Sequence, residues 1–269
     1  MSEAYDRLID DLAAEADALD GVVVGLSDDQ FEQASPADGW SIKDQLSHLA
    51  GFDEAATTAI VDPEFFVADL ERRITEGDDP IAGYTATGRQ MTGREVLEWW
   101  RRARVGLIDA ARPLDPKARI PWYGPAMGAM SHVTARTMEA WAHGQDVRDA
   151  LGVEPSISHR LRHVAHIGVG ARAFSYALNG MDAPTIAVDV VLNAPDGSQW
   201  TWGPGDAADR IEGDALDFCL LVTQRRHRDD LSLRVTGDEA QRWLAVAQAF
   251  AGDPGGGRAP LADSASLPD

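Results

Sequence analysis

Two residues four positions apart, Glu139 and His143, carry the clearest chemical signal in the sequence. The segment HVTARTMEAWAHGQDVRDALG around them predicts a helix over about 131–151. Residues at i and i+4 of a helix lie nearly above one another, so this carboxylate and this imidazole can approach the same point. The pair is typical of metal ligands, and it also occurs as a solvated glutamate beside a hydrogen-bonded histidine.

The residues that share the helix face of Glu139 are also polar. His132, Arg136 and Asp146 fall within about 60° of Glu139 on the helical wheel. Apolar residues flank this stripe on both sides, which suits polar groups that face the interior of a helical bundle. His48, beside the apolar stripe of an earlier helix, is the best candidate for a third ligand.

The set His48, Glu139 and His143 predicts a catalytic metal rather than a structural one. Three protein ligands leave at least one coordination position open, which is the pattern of catalytic zinc sites. Zinc is the default metal, and two histidines with one carboxylate also suit nickel or ferrous iron.

Other chemistry-bearing residues have weaker patterns. His159, His163 and His166 share one helix face and form a rival metal cluster, although we favour partly exposed hydrogen-bonding side chains. Cys219 lies within the apolar run FCLLV, which indicates a core thiol rather than a nucleophile. As the single cysteine, it allows no intramolecular disulfide and no all-cysteine metal site. The sequence contains no P-loop, GxGxxG or GxSxG motif.

Helices must position the candidate ligands, because the first two-thirds of the sequence have helical periodicity. The predicted helices are about 4–20, one that begins at the capping box Ser41–Asp44, 63–77, one that begins at Thr92–Glu95, 131–151, and one from Ser156 or Ser158 to Gly180. The Pro- and Gly-rich segment 112–130 is predicted to be an irregular loop. Long helices joined in this way predict an antiparallel bundle over residues 1–180.

After Pro184 the hydrophobic period changes from that of helices to that of strands. TIAVDVVLNAPDGSQWTWG predicts a hairpin, and further elements follow as a short strand at 209–212, a helix in DALDFCLLVTQRRH, a strand in LSLRV and a helix in GDEAQRWLAVAQAF. This order predicts a small α+β domain over 181–251. Residues 252–269 have the composition of a disordered tail.

The charge balance limits the partners of the protein. Its 24 basic and 44 acidic residues give a net charge of −20, which speaks against nucleic-acid binding and against an anionic membrane surface. The N-terminal segment MSEAYDRLIDD lacks the features of a signal peptide, and no run of 18 apolar residues occurs. We therefore expect a cytoplasmic protein with a small-molecule substrate; the sequence makes no prediction of its oligomeric state.

Two segments resemble a known family. WSIKDQLSHL, at 40–49, resembles the second-helix signature of the DinB-like superfamily, and the segment 121–152 resembles the branch related to mycothiol-dependent maleylpyruvate isomerase. The resemblance covers about residues 5–250. It implies a DinB-like four-helix bundle followed by a small α+β sterol-carrier-like domain, with His48, Glu139 and His143 as the metal ligands.

The resemblance also implies an activity. In that family the metal, usually zinc, binds the thiol of mycothiol or the substrate, and a zinc-bound thiol loses its proton near neutral pH. We therefore expect an isomerase or S-transferase that uses mycothiol on a small anionic substrate. Two alternatives stay open: a hydrolase that activates water, and a non-catalytic protein that binds a small apolar ligand in residues 181–250.

Supporting roles fall on residues outside the ligand set. Trp122, Tyr123 and Met127, in the loop before the ligand helix, are expected to line the cofactor pocket, with packing of the bundle end as the alternative. Arg225 or Arg226 lies near the place where the isomerase family has a functional arginine, which implies a bidentate contact to a substrate carboxylate. Asp146 is expected to hydrogen-bond a ligating histidine.

Overall fold

The structure, a computed structural model, describes residues 3–261. Its internal contacts separate into two compact units, one that ends at Ser156 and one that begins at Ile157. Of the predicted tail, residues 254–260 contain no helix or strand, and residues 262–269 lie outside the described part of the chain.

The first unit is built of helices with one short hairpin. Its elements are α1 (Glu3–Val23), α2 (Asp28–Phe31), α3 (Ile42–Val61), α4 (Pro63–Glu76), α5 (Pro80–Arg89), α6 (Gly93–Ala111), β1 (Arg119–Ile120), β2 (Met127–Gly128) and α7 (Ala129–Leu151). The four long helices α1, α3, α6 and α7 pack against one another. They form the predicted bundle, whose core contains large buried side chains such as Leu19, Leu46 and Trp100.

Local signals in the sequence explain where these helices begin. The Ser41 hydroxyl accepts a hydrogen bond from the Asp44 backbone N–H, and the Asp44 carboxylate accepts one from the Ser41 backbone N–H. Thr92 and Glu95 form the same reciprocal capping box at the start of α6. Pro63 occupies the first turn of α4, where its missing N–H has no cost. These predicted helix starts are confirmed.

Helix α5, which the sequence analysis did not predict, packs closely on α3 through two glycines. A Cβ at Gly88 would come within 1.8 Å of the Ser47 hydroxyl oxygen, and one at Gly51 within 2.1 Å of the Tyr84 ring. Only glycine allows the Tyr84 ring to lie this close to α3, one turn after His48.

The second unit combines helices with a four-stranded mixed sheet. Its elements are α8 (Leu161–Gly170), α9 (Arg172–Leu178), β3 (Val188–Asn193), β4 (Gln199–Trp202), β5 (Asp209–Asp214), α10 (Ala215–Val222), a 3₁₀ turn (Arg228–Asp230), β6 (Arg234–Thr236) and α11 (Asp238–Val246). The strand order is β4-β3-β5-β6, with β3 parallel to β5 and the other pairs antiparallel. Asn193 lies opposite Gln199 at the turn of the predicted hairpin. This arrangement confirms the predicted fold class.

The structure differs from the sequence analysis around residues 157–180. The single helix predicted up to Gly180 is two helices, α8 and α9, which Ala171 separates. Both belong to the second unit, whereas the predicted bundle included them. The contacts explain this: Gly168 packs against Val222 so closely that a Cβ would come within 2.6 Å, and the Ser175 hydroxyl donates to the Gln248 carbonyl at 3.0 Å.

Two smaller differences concern the loop before α7 and the end of α10. Residues predicted as an irregular loop contain the hairpin β1–β2, in which Arg119 lies opposite Gly128. Helix α10 ends at Val222, before the polar segment that the sequence analysis included in it. Among residues 3–261, no helix is long and apolar enough to span a membrane.

Candidate metal centre

Three side chains from two helices meet inside the first unit. His48 comes from α3, and Glu139 and His143 come from α7. One ligand atom from each lies within 4.8 Å of the others. Glu139 Oε2 is 3.1 Å from His143 Nε2 and 3.7 Å from His48 Nε2. The structure thus brings together the three residues that the sequence analysis selected.

A chain of hydrogen bonds fixes the orientation of His143. The Trp40 carbonyl can only accept, so the Ser35 hydroxyl donates to it at 2.9 Å and itself accepts from Gln45 Nε2 at 2.8 Å. The amide oxygen of Gln45 therefore faces His143 Nδ1, 2.5 Å away, and the imidazole donates to it. The neutral ring consequently has its lone pair on Nε2, directed at Glu139.

Aromatic rings surround His48 and hold it in place. Its ring centroid is 4.6 Å from that of Phe52, 5.4 Å from that of Trp40 and 4.3 Å from that of His143. Its Nδ1 atom is buried and has no hydrogen-bond partner among the described residues. Burial, with a further contribution from His143, lowers the pKa of His48 to about 3. The ring is therefore a neutral ligand that packing has oriented.

Glu139 remains ionised in this partly buried place. Burial alone would raise the pKa of its carboxyl group, but hydrogen bonds from His143 and His48 outweigh that effect and hold the pKa well below its ordinary value. The carboxylate is thus a permanent negative charge between two imidazoles.

The three side chains fit a divalent cation. In a tetrahedral site with bonds of about 2.0–2.1 Å, ligand atoms lie roughly 3.3–3.5 Å apart, and the spacings here are 3.1 and 3.7 Å. His143 donates through Nδ1 to Gln45, so its Nε2 can bind a metal ion in the place where a proton on Nε2 would instead be donated to Glu139.

An ion pair lies in the same interior and adds no net charge. Arg136 Nε and Nη2 donate to Asp53 Oδ1 at 3.0 and 2.7 Å, and both side chains are buried. Because this pair is neutral, it does not offset the Glu139 carboxylate, which a divalent cation would more than neutralise although the chain as a whole is strongly acidic.

Trp122 and Tyr123 lie in an aromatic cluster that extends from His48. Both rings contact Phe52, at 6.2 and 5.4 Å between centroids, and Phe52 contacts His48. The Tyr123 hydroxyl lies 3.4 Å from that of Tyr84. The two tyrosines border a cavity of about 280 Å³, which is also lined by Phe66, Asp69 and Arg73, among others. Met127 lies instead in β2, opposite Ile120.

The arginines predicted to contact substrate belong to the second unit. Arg225 and Arg226 follow α10, and Arg225 Nη1 donates to the Thr223 carbonyl at 2.7 Å.

Cys219 is fully buried in α10, and burial raises its pKa well above the ordinary value, which confirms the predicted core thiol.

The rival histidine cluster, which the sequence analysis did not favour, gains no support, and the expected hydrogen bond from Asp146 is wrong. Among the described residues, His159, His163 and His166 do not gather into a three-ligand cluster, and His166 Nδ1 accepts from Trp202 Nε1 at 3.2 Å. Asp146 Oδ2 lies 3.9 Å from His143 Nδ1, too far for a hydrogen bond, and Gln45 takes that position. Sequence spacing could have indicated Gln45, since it precedes His48 by three residues and shares its helix face.

Comparison with known proteins identifies the family. Residues 12–148 match the family model of the mycothiol maleylpyruvate isomerase N-terminal domain. This segment is just over half of the chain and contains His48, Glu139 and His143. The chain belongs to this family. Two curated relatives, uncharacterized proteins of two Mycobacterium tuberculosis strains, are each 43% identical over 249 residues, which is 92% of this chain and 96% of the relative.

Solved structures support the isomerase-like fold along most of the chain. Crystal structures of the mycothiol-dependent maleylpyruvate isomerase and of a point mutant of it match with TM-scores of 0.56 and 0.57. Each match covers 85% of this chain and 92% of the solved chain, at 13% identity, so the likeness shows the fold. A second family model, described as wyosine base formation, matches only residues 190–234, from β3 to β6.

Proposed function

We propose that this chain is a metal-dependent enzyme that uses a low-molecular-weight thiol, mycothiol, in an isomerase or S-transferase reaction on a small anionic substrate. The observation that carries the proposal is the convergence of His48, Glu139 and His143, with one ligand atom of each within 4.8 Å of the others. Family membership supports the choice of thiol, because the matched domain is named for mycothiol.

Zinc is the proposed metal, with nickel and ferrous iron as alternatives, because two imidazoles and one carboxylate suit all three. The ion would supply positive charge that lowers the pKa of a coordinated thiol toward neutrality. Gln45 keeps the Nε2 lone pair of His143 directed at the site, and the rings of Trp40 and Phe52 hold His48.

An external thiol is required because the chain has no accessible one. Cys219, the single cysteine, is fully buried in the second unit and has a strongly raised pKa. We assign Trp122 and Tyr123 to the wall of the ligand pocket, since they continue the aromatic cluster that touches His48. Met127 is proposed at the same pocket from its place before α7. Arg225 or Arg226 is proposed to hold the substrate carboxylate through a bidentate contact.

Metal content tests the ligand set directly. Elemental analysis of the purified protein, loaded with zinc and freed of excess metal, should find close to one ion per chain. Glu139→Gln and His143→Asn should reduce metal affinity by at least about tenfold. The matched control is Glu71→Gln on an exposed position of α4, which should leave metal content unchanged. Full metal retention in Glu139→Gln, or none in the parent protein, would contradict the site.

The thiol part of the proposal has its own readout. In the cobalt-substituted protein, addition of mycothiol should produce a sulfur-to-metal charge-transfer absorption, because the thiol enters the coordination sphere. No such absorption, with metal bound normally, would overturn the thiol claim and favour the hydrolase. Nickel or iron in the protein as purified would replace zinc without affecting the ligand set.

A further inference from the structure

Negative charge is concentrated in the part of the first unit that joins α3 to α5. Residues 54–79 contain eight acidic residues and two arginines, so their formal charge is −6. About a tenth of the chain therefore carries nearly a third of its net charge. The potential of such a segment attracts small cations.

An aromatic cavity of about 280 Å³ lies in this segment, which supplies eight of its ten lining residues. Its wall includes the rings of Phe65, Phe66, Tyr84 and Tyr123. The rings of Phe66 and Tyr123 meet at 78°, with 5.5 Å between their centroids, so they form adjacent walls rather than a stack. Phe65 is 60% exposed, which leaves much of its ring uncovered by the chain.

The charged side chains of the cavity leave one carboxylate that is not neutralised. Arg73 Nε donates to Asp69 Oδ2 at 2.7 Å, so these two lining residues offset each other. Glu54, on α3, is exposed, and its carboxylate has neither a hydrogen bond nor an ion pair among the described residues. The lining as a whole therefore has a charge of −1.

Two other kinds of ligand fit this cavity less well. Among the described residues, the only cluster of three metal-ligating side chains is that of the candidate metal centre, so a metal ion is not favoured here. A small anion would find the guanidinium group of Arg73 already paired with Asp69 and would be repelled by Glu54. The anionic substrate proposed for the metal centre is therefore not the ligand of this cavity.

We propose that this cavity binds a small organic cation that carries a quaternary or methylated ammonium group. Aromatic faces attract such a cation within about 6 Å of the ring centroid, and Glu54 supplies the opposite charge. A primary ammonium group has three N–H donors to satisfy, whereas a methylated one needs few acceptors, and a single free carboxylate suffices for it. The cavity contains none of the three metal ligands, so this inference does not depend on the proposed function.

Calorimetric titration of the full chain with choline, and separately with dimethylbutanol, tests the proposal. In dimethylbutanol a neutral carbon replaces the quaternary nitrogen of choline, so the two probes differ in charge and hardly in shape. The titrations should be done at about 0.15 M sodium chloride, which limits general charge attraction to a range of about 8 Å. Choline should bind saturably, and at least about fivefold more tightly than its neutral isostere.

Substitution of Glu54 tests the charge of the site. Glu54→Gln should weaken choline binding by about fivefold and leave the binding of dimethylbutanol unchanged. The matched control is Glu71→Gln, which removes the same charge from an exposed position of α4 outside the cavity. It should change choline affinity less than about twofold.

Substitution of the rings tests the aromatic wall. Phe65→Leu keeps an apolar side chain but removes the ring, and should weaken choline binding by about threefold. Phe174→Leu, at a 43% exposed phenylalanine of α9, is the matched control and should have no effect. Tyr84→Phe keeps the ring and should retain the affinity within about twofold. Because Glu54 and Phe65 are both exposed, their variants should fold as the parent does.

Three results would overturn the proposal. The first is absence of saturable choline binding at millimolar concentration. The second is equal affinity for choline and dimethylbutanol, which would show an apolar cavity without a preference for cations. The third is an equal loss in Glu54→Gln and Glu71→Gln, which would show general charge attraction.

Discussion

In the second unit, two buried carboxylates accept their hydrogen bonds from the backbone. Asp189 accepts from the backbone N–H groups of Gly205 and Ala207, at 2.8 and 2.9 Å. Asp209 accepts from two consecutive N–H groups in the first turn of α11, at 2.8 and 3.0 Å. Each of these side chains ties a loop or a helix end to the sheet.

In the first unit, by contrast, the side chains of the candidate metal centre keep ligand atoms that face one another. Glu139 lies between two imidazoles, and the hydrogen bonds that start at the Trp40 carbonyl end at Nδ1 of His143, which leaves its Nε2 facing Glu139. Polar burial alone therefore does not distinguish a site from a structural anchor. What distinguishes them is whether the hydrogen-bonding capacity is used up within the chain.

The largest effect is expected at the buried ion pair of the first unit. Asp53→Ala leaves the Arg136 guanidinium buried without its partner, which should lower the free energy of unfolding by about 3–5 kcal/mol. The double variant Asp53→Leu with Arg136→Met should recover most of this loss. Urea denaturation measures both. Asp69→Ala, which breaks a more exposed pair with Arg73, is the control and should cost less than about 1 kcal/mol.

Substitution of Asp209 tests whether a carboxylate that binds the backbone contributes to stability without affecting the metal centre. Asp209→Ala leaves two buried N–H groups unsatisfied and should reduce the free energy of unfolding by about 2–4 kcal/mol. Its metal content, measured below the unfolding transition, should stay at the parent value. The control Asp214→Ala removes one exposed hydrogen bond with Asn193 and should cost about 0.5 kcal/mol. Loss of metal in Asp209→Ala would break the distinction between anchor and site.

A pH dependence is expected from His132, whose two ring nitrogens are buried and have no partner among the described residues. Burial, assisted by the charge of Arg136, lowers its pKa from 6.5 to about 4. Between these values the unfolded chain binds a proton that the folded chain does not, so His132 reduces stability as the pH falls below 6.5. As the pH falls from 6.5 to 5, the free energy of unfolding of His132→Leu should therefore rise by about 2 kcal/mol relative to that of the parent protein.

Urea denaturation at several pH values measures this difference. The parent protein, measured under the same conditions, gives the reference curve. A His132→Leu curve parallel to that of the parent would show that the imidazole is not held neutral.

The smallest effect on stability, with a specific effect on the metal, is expected at Gln45. Gln45→Leu removes the acceptor that fixes the His143 ring and should weaken zinc binding by about 10–100-fold. The free energy of unfolding should change by about 1 kcal/mol. Competition with a chromophoric chelator measures the affinity. Gln33→Leu is the control, because the side-chain amide of Gln33 also donates a hydrogen bond, to the Ala150 backbone carbonyl, but at an exposed position. Unchanged zinc affinity in Gln45→Leu would contradict the claim that Gln45 directs the Nε2 lone pair of His143 toward the metal.

Much of the fold could be predicted because its signals are local. The capping boxes at Ser41 and Thr92 depend on residues three positions apart, and both helix starts are confirmed. The break at Ala171 depends instead on the approach of Gly168 to Val222, 54 positions later, which no local pattern contains. Helix α5 was missed since its packing on α3 depends on glycines rather than on an apolar stripe.

The candidate site was predictable to the extent that its residues share a helix. Glu139 and His143 follow from spacing, whereas His48 was selected from its place beside an apolar stripe and then supported by the resemblance, because pairing between helices is not visible in one sequence. The partners of Gln45 and Arg136 are invisible for the same reason, since Ser35 and Asp53 lie in other segments. The roles of Met127 in the ligand pocket and of Arg225 or Arg226 in substrate binding stay predictions.

The burial of Cys219 gives the protein a built-in reporter. Its sulfur lies 3.4 Å from the Leu161 carbonyl, so the single thiol joins α10 to α8 in the interior of the second unit. Alkylating reagents can reach this thiol only when the second unit unfolds locally or globally, so the rate of modification measures how often that unfolding occurs. The same enclosure protects the folded chain from mixed disulfides with the small thiols of its surroundings.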